Sequence, residues 1–313
     1  MSKILITGAN GFIGQHLIQH SNLNKSALIL LTRRKINRPL PPGAANIIVD
    51  LNDLDKCKAA LSSHQIDTVI HLAASVHQNQ TSTIITDDLK QININFTSNL
   101  AKMCINQGLK RFIFMSSIGV HGFNSHSMAI NETQTFEPQN AYTKSKVLAE
   151  ESLNKIFLPQ SNCKLNIIRP PMVYGPNSLG SFRLLIKALQ LHLPLPFKNV
   201  HNQKSFISIN NLTDFIIRLL ETEALGNEVF TVADKEIIST SELIQILKMH
   251  LNSKTYSYAC PQSLIKIFFH LLHKENLYQS LYGNSAIDTS KAKKLLNWEA
   301  PFDFSDEIGK SLR

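Results

Sequence analysis

Cysteine is scarce in this chain. The four present, Cys57, Cys104, Cys163 and Cys260, stand far apart and form no Cys-x-x-Cys pair. That spacing excludes a zinc ribbon and a disulfide framework and points to a reducing cytoplasm. No apolar run approaches the roughly 18 residues that a membrane-spanning helix needs. No charged leader with a cleavage site precedes the strand-like opening Lys-Ile-Leu-Ile-Thr, so a cytoplasmic protein without an integral membrane segment is expected. Internal repeats and low-complexity tracts are absent as well. Acidic residues are in deficit, 23 against 32 Lys and Arg, for a net charge of +9. The excess favours anionic ligands or surfaces without singling out nucleic acid. With 43% hydrophobic and 18% charged residues in 313, the chain is a folded one, long enough for two domains sharing an interface.

Read in order, residues 3–7 form an apolar strand, and Gly8-Ala-Asn-Gly11-Phe-Ile-Gly14 follows, opening a helix. Glycine at this spacing, between strand and helix, lets the backbone turn tightly and approach a pyrophosphate. The second strand, 27–32, ends in Thr32-Arg33-Arg34, where an NAD enzyme presents a carboxylate to the adenosine ribose. An arginine there binds a 2′-phosphate that an acid repels, which favours NADP, with NAD as the alternative; two solvated arginines opening a basic loop are the bland reading. Further strands are expected at 47–51, with Asp50 at its end within reach of the adenine, and at 67–74, 111–117 and 164–169, separated by helices. Alternation of this kind predicts a parallel, doubly wound α/β sheet with ligands at the carboxyl ends of its strands.

Gly8, Ala73-Ala74 and Ser116-Ser117 all fall at such ends. Tyr142 and Lys146 are four apart in a predicted helix, so their side chains share a face. A neighbouring ammonium favours the phenolate, which makes Tyr142 a candidate acid or base near neutral pH. Alone, the pair is equally a surface helix; the convergence at one sheet edge is what singles it out. Pro170-Pro171 through Pro176 predicts a rigid exit loop and a domain boundary. A helix is expected at 182–192, a strand at 205–209, and a helix at 211–221 capped by Asn210. Ser239 and Glu242 have the spacing of a capping box.

With these residues in view, the chain resembles the extended short-chain dehydrogenases/reductases of the nucleotide-sugar epimerase/dehydratase superfamily. The likeness rests on the Gly8/Gly11/Gly14 turn, His71-Leu-Ala-Ala74, Asn93-Ile-Asn-Phe-Thr97, Ser116-Ser117, Tyr142-x-x-x-Lys146, Arg169-Pro-Pro-Met-Val-Tyr-Gly-Pro176 and the closing stretch 287–298. It implies a Rossmann-type domain over 1–170, to which 203–235 returns, and a smaller, mostly helical nucleotide-sugar domain from 171–202 and 236–313. It implies Ser117, Tyr142 and Lys146 as catalytic residues. The cofactor would lie against Gly8, Asn10, Gly11, Phe12, Ile13, Gly14, Arg33, Arg34, Asp50, Leu51, Leu72, Ala73, Ala74, Asn93, Ser116, Tyr142, Lys146 and Pro170. Ser117, His121, Tyr142 and Lys204 would meet a UDP-hexose or UDP-N-acetylhexosamine, Lys204 at the diphosphate unless it is an exposed loop lysine. By the same analogy a homodimer is expected. His121 stands where many epimerases carry tyrosine, and the acid after the second strand is missing.

The triad serves two reactions equally. The arginines tilt the reading toward an NADPH-dependent 4-reductase of a UDP-4-keto-6-deoxy-N-acetylhexosamine in surface-polysaccharide synthesis, with a UDP-glucose or UDP-N-acetylglucosamine 4-epimerase as the alternative. Dehydration is disfavoured because Ile118-Gly119 replaces the acid pair of dehydratases. A cofactor-sensing module without catalysis is a third reading, opposed by the intact triad. His16 and His20 are four apart but lack a third ligand, so no metal is expected. The apolar, basic-flanked helix at 263–274 suits either a membrane surface or packing over the sugar site or a neighbouring element.

Overall fold

The computed structural model describes residues 2–76, 83–122, 129–178, 181–272 and 275–312. Ten strands are present among them: β1 (Lys3–Thr7), β2 (Ala27–Thr32), β3 (Ala45–Ile48), β4 (Thr68–His71), β5 (Arg111–Met115), β6 (Lys164–Arg169), β7 (Met172–Tyr174), β8 (Lys204–Ser208), β9 (Glu228–Thr231) and β10 (Ile237–Ile238). The chain divides into two compact units. One comprises Met1–Val120, Phe136–Arg169 and Ile216–Phe230, the other His121–Thr135, Pro170–Phe215 and Thr231–Arg313.

In the first unit six strands pair in parallel in the order β3-β2-β1-β4-β5-β6, and β9 forms the edge beside β6. Their sequences are continuous apolar runs rather than alternating ones. Ile4, Leu5 and Ile6, like Phe112, Ile113 and Phe114, are all buried, as a sheet covered on both faces requires. The third strand is corrected from 47–51 to Ala45–Ile48. Its partner β2 runs out at Thr32, opposite Ile48, so Asp50 and Leu51 fall in the following turn.

The strand order reverses between β1 and β4, and this switch point is braced internally. Thr7 Oγ1 meets His71 Nδ1 at 2.6 Å and accepts from the Ala73 N–H at 3.2 Å, while His71 Nε2 meets Thr97 Oγ1 at 2.8 Å. Burial pushes the His71 pKa down to about 3, so the ring is neutral and serves only as a hydrogen-bonding bridge. A π-helical stretch, Lys90–Phe96, continues into the helix Thr97–Ile105. It turns Asn93 inward, where its amide accepts from Ser75 N–H at 2.8 Å and donates to Ser145 Oγ at 2.9 Å.

The helix Ala141–Phe157 begins at a capping box. Asn140 Oδ1 accepts from Thr143 N–H at 2.9 Å, and Thr143 Oγ1 accepts from Asn140 N–H at 3.2 Å. That cap fixes the helix start one residue before Tyr142. Lys146, Glu150, Leu153 and Phe157 then repeat at helical spacing along the buried face.

The second unit has its own sheet, with β7 parallel and β10 antiparallel to the central β8. Its core gathers Tyr174, Phe182, Leu189, Phe206, Leu247 and Phe304. Three expectations change here. Pro170-Pro171 ends β6 as expected, but the exit is not all loop, because the chain re-enters regular structure as β7 against β8. The segment that rejoins the first unit is Ile216–Phe230 rather than 203–235, since β8 finds its hydrogen-bonding partners in β7 and β10. Asn210 is not a cap: the helix Ile209–Glu221 starts earlier, Ser208 Oγ accepts from Asn211 N–H at 3.0 Å, and Asn210 donates to Glu307 instead. The Ser239/Glu242 capping box forms as read. All four cysteines are free thiols.

Removing the cap of the helix that carries Tyr142 tests this local account. Asn140→Ala is expected to lower unfolding free energy by about 1 kcal/mol in urea titrations; an unchanged midpoint would mean that tertiary packing alone fixes the helix start.

Candidate active site

The glycine turn and the ends of β2 and β4 enclose a cleft of about 370 Å³ lined by Gly8, Asn10, Gly11, Leu31, Thr32, Arg33, Arg34, Leu51, Leu72, Ala73, Ala74 and Ile92. Gly8 has φ +75°, and a Cβ there would stand 2.7 Å from Ala73 N and 2.8 Å from the Leu72 carbonyl carbon. Only glycine satisfies both the conformation and the approach. At Gly14 a Cβ would stand 2.3 Å from Gly8 O, so this glycine packs the helix start onto the turn and does not line the cleft. The cradle kept clear by Gly8 beside the switch point fits the phosphates of a dinucleotide.

At the far rim the side chain of Thr32 turns away. Its hydroxyl donates to Arg34 O at 2.8 Å and accepts from Asn46 at 2.8 Å. Arg33 and Arg34 are exposed and are the charged residues lining the cleft. Asn10 ties the two rims, its amide donating to Arg34 O at 2.9 Å. A second, shallower basin is lined by Asn10, Gln19, Arg34, Lys35, Asn37 and Arg38.

Several residues expected at the cofactor do not line this cleft. Phe12 and Ile13 do not line the cleft, and Phe12 packs edge-on against His16 at 5.3 Å. Asp50 is exposed beside the cleft, its carboxylate accepting from Asn52 N–H at 3.0 Å. Asn93 braces the loop after β4 against the helix Ala141–Phe157, and Ser116 is buried with its hydroxyl donating to Glu150. Pro170 belongs to the second unit. Sequence reasoning overlooked Leu31, Thr32 and Ile92 as lining residues. The first two are legible as the end of β2; Ile92 depends on the π-helical turn.

The end of β5 and the helix Ala141–Phe157 carry the candidate reacting groups. Ser117 follows β5, and its hydroxyl accepts from Gly119 N–H at 3.1 Å. Lys146 is buried; its ammonium donates to Met115 O at 2.8 Å, lies 4.6 Å from the centre of the Phe114 ring and 5.8 Å from that of Tyr142. Among the described residues the Tyr142 hydroxyl has no hydrogen-bond partner. The expected phenolate does not form in this state: desolvation pushes Tyr142 up to about 12 and Lys146 down to about 8. Burial alone sets the direction for the phenol, while the Lys146 ammonium is engaged by the Met115 carbonyl. The phenol is thus a proton donor at neutral pH.

Beneath this cluster lies a charged layer that the motifs alone do not show. Glu150, four residues beyond Lys146, pairs with Arg169: Nε lies 3.1 Å from Oε1 and Nη2 lies 2.5 Å from Oε2, with both side chains nearly inaccessible. The glutamate favours the charged lysine electrostatically, opposing the larger effect of burial. Its spacing of four and eight from Lys146 and Tyr142 is a signal the sequence does carry.

The other two expected substrate residues lie in the second unit. His121 is buried, with Nδ1 3.1 Å from Thr135 O. Lys204 is no loop lysine; it opens β8, is buried, and burial pushes its pKa down to about 8. Among the described residues no three His, Cys, Asp or Glu side chains converge as metal ligands. His16 Nδ1 meets Phe12 O at 2.9 Å, and His20 Nδ1 accepts from Asn22 N–H at 3.3 Å.

Comparison with known proteins agrees with this geometry. The profile of the NAD dependent epimerase/dehydratase family matches residues 4–233. A UDP-glucose 4-epimerase from Vibrio cholerae is 32% identical over 310 residues, covering 96% of this chain and 91% of the relative. An N-acetyl-alpha-D-glucosaminyl-diphospho-ditrans,octacis-undecaprenol 4-epimerase from Escherichia coli O157:H7 is 28% identical over 265 residues, covering 84% and 76%. The Bordetella bronchiseptica enzyme WbmG, solved with NAD and UDP, superimposes with a TM-score of 0.78 at 20% identity, covering 99% of this chain and 93% of that one.

The depressed lysine has a signed consequence. Lys146 binds its proton less tightly when folded (about 8) than when unfolded (10.5), so the unfolded chain holds more protons between those values and stability rises with pH across that window. Lys146→Met is therefore expected to be more stable than the wild type at pH 7 by on the order of a few kcal/mol. In cofactor-free urea titrations the gap should narrow from pH 8 upward; a gap constant with pH would contradict the cost of the buried charge.

Proposed function

Because the chain belongs to the NAD dependent epimerase/dehydratase family, we propose that it transfers hydride at C4 of a diphosphate-linked hexose, and that its net reaction is 4-epimerisation. The observation that carries the chemistry is the Tyr142 hydroxyl, without a hydrogen-bond partner among the described residues and flanked by buried Lys146, on the helix whose lysine reaches the end of β5. A bound nicotinamide dinucleotide supplies the acceptor and donor of hydride. The chain manages the proton and the position of the sugar. Ser117 holds the oxygen on C4, Tyr142 gives that oxygen its proton when a 4-keto group is reduced and takes it back on oxidation, and Lys146 supplies the positive charge that makes the second direction possible. The lysine loses its proton readily once buried, so Glu150, whose charge raises its pKa, helps keep it charged.

Both relatives bear the name of 4-epimerases, one acting on UDP-glucose and the other on a sugar diphosphate carried by undecaprenol. That agreement moves the reading from the reductase expected on sequence to the epimerase. UDP-glucose and UDP-N-acetylglucosamine are the first substrates to try. The reductase reading keeps one support of its own, a Tyr142 that is protonated at neutral pH and so ready to donate to a 4-keto sugar.

We further propose a preference for NADP over NAD, supported by Arg33 and Arg34 at the cleft rim and by the basic basin of Arg34, Lys35 and Arg38 next to it. A carboxylate to repel a 2′-phosphate is missing at the end of β2.

Incubating the purified protein with UDP-N-acetylglucosamine or UDP-glucose, with and without added dinucleotide, and following the sugar protons by NMR tests the reaction. The 4-epimer is expected, and Tyr142→Phe should slow its appearance by roughly 10²- to 10⁴-fold. Turnover of a UDP-4-keto-6-deoxyhexose with NADPH, and none of either UDP-sugar, would replace this reading with the reductase. Arg34→Ala should weaken NADP binding by roughly tenfold and leave NAD binding unchanged; equal losses for both dinucleotides would remove the case for NADP.

A further inference from the structure

Two residues of the first unit, Gly119 and Thr143, meet between the groups assigned to the sugar oxygen and have no part in the chemistry described above. Gly119 is buried in the tight turn that follows β5, and its N–H donates to Ser117 Oγ at 3.1 Å, which orients the serine hydroxyl. A Cβ on Gly119 would stand 2.7 Å from Thr143 Cγ2 and 3.3 Å from Ser117 Oγ. Unlike Gly8, this glycine does not have a positive φ. Its backbone admits any residue, and only the lack of space calls for glycine.

Thr143 is held as firmly. It is buried, and its hydroxyl accepts from Asn140 N–H at 3.2 Å and donates to Asn140 O at 3.0 Å. A β-branched side chain tied at Oγ1 keeps those bonds in one rotamer, so the cap also fixes where the methyl points. That methyl fills the place a side chain on residue 119 would take. The capping box thus does more than start the helix. It presses a methyl group into the turn that orients Ser117, from the residue next to Tyr142.

We propose that Thr143 is a positioning residue which, by packing on Gly119, sets the spacing between the Ser117 hydroxyl and the Tyr142 phenol. The inference rests on the reading that both groups address one sugar oxygen. A shift at either end misplaces one of them, and a misplacement approaching 1 Å costs roughly 10²-fold in rate. Because the contact acts through volume, moving the methyl from one partner to the other should preserve it.

That exchange is the test. Gly119→Ala is expected to lower kcat by roughly 10- to 100-fold with KM little changed, since the added carbon has no room. Thr143→Ser keeps the hydroxyl and the cap, deletes the methyl, and should cost less. In the Thr143→Ser background, Gly119→Ala should raise kcat instead of lowering it. Rates are taken where urea titrations show each variant folded; should Gly119→Ala alone fail to fold, the double variant against Thr143→Ser decides by the same sign. The assay uses the UDP-sugar that the wild type turns over or, failing that, a UDP-4-keto-6-deoxyhexose with NADPH. Ser117 and Tyr142 serve both reactions, so loss of the epimerase reading leaves this test intact. Crystal structures give a readout that needs no turnover: the distance between the Ser117 and Tyr142 hydroxyls should change in Gly119→Ala and return in the double variant. Wild-type kcat and spacing in Gly119→Ala would overturn the proposal. A double variant as slow as Gly119→Ala would overturn it too, since the glycine would then only clear room for Ser117.

Discussion

An ammonium group kept out of water organises the first unit. Lys146 has no solvent to share its charge, so its surroundings must supply everything: the Met115 carbonyl at the end of β5, the face of Phe114, and the field of Glu150 one helical turn on. Glu150 is itself buried, and is tolerated only because Arg169 at the end of β6 meets it with more than one hydrogen bond and Ser116 donates a further one. Removing one member of such a buried pair costs about 3–5 kcal/mol, because it strands the other charge. The arrangement fixes the helix to the ends of two adjacent strands in a single register. A slide of the helix by one residue would rotate lysine and glutamate away from their partners by about 100°.

The same constraint accounts for the electrostatic state of the site. Burial pushes both the phenol and the ammonium toward their neutral forms, and only Glu150 works against it, at the ammonium. Active sites commonly hold groups away from their ordinary ionisation in this way, at a cost in stability. In the proposed reaction the phenol stands ready to donate, and the Lys146 ammonium is the charge that favours its use as a base.

The cofactor cleft depends on closeness rather than charge. Gly8 lies against the backbone of Leu72 and Ala73, and Gly14 against Gly8, so the turn, the β4 exit and the helix start form one packed layer. Hydrogen bonds from Thr7 through neutral His71 to Thr97 hold the two strand ends at the switch point together. What remains open is a groove with backbone on one wall and two arginines on the other.

Much of this was legible from residue order. Apolar runs of strand length separated by helical segments specify a parallel sheet, the glycine spacing specifies a tight turn beneath a helix, and the four-residue spacing of Tyr142, Lys146 and Glu150 specifies a shared face, because each depends on chain geometry over a few residues. The tertiary structure decided what depends on distant partners. Hydrogen-bonding partners far along the chain stopped β3 at Ile48, turned 172–174 into a strand and gave β8 to a second sheet. They also drew Ser116 and Asn93 away from the cleft to brace it. The ionisation of Tyr142 was likewise beyond sequence, since desolvation is set by everything packed around a group and not by the one residue four positions away. The apolar helix near 264–272 could be read from its periodicity, but that Ile265 is covered while Leu264 and Phe268 stand exposed is a property of the folded surface.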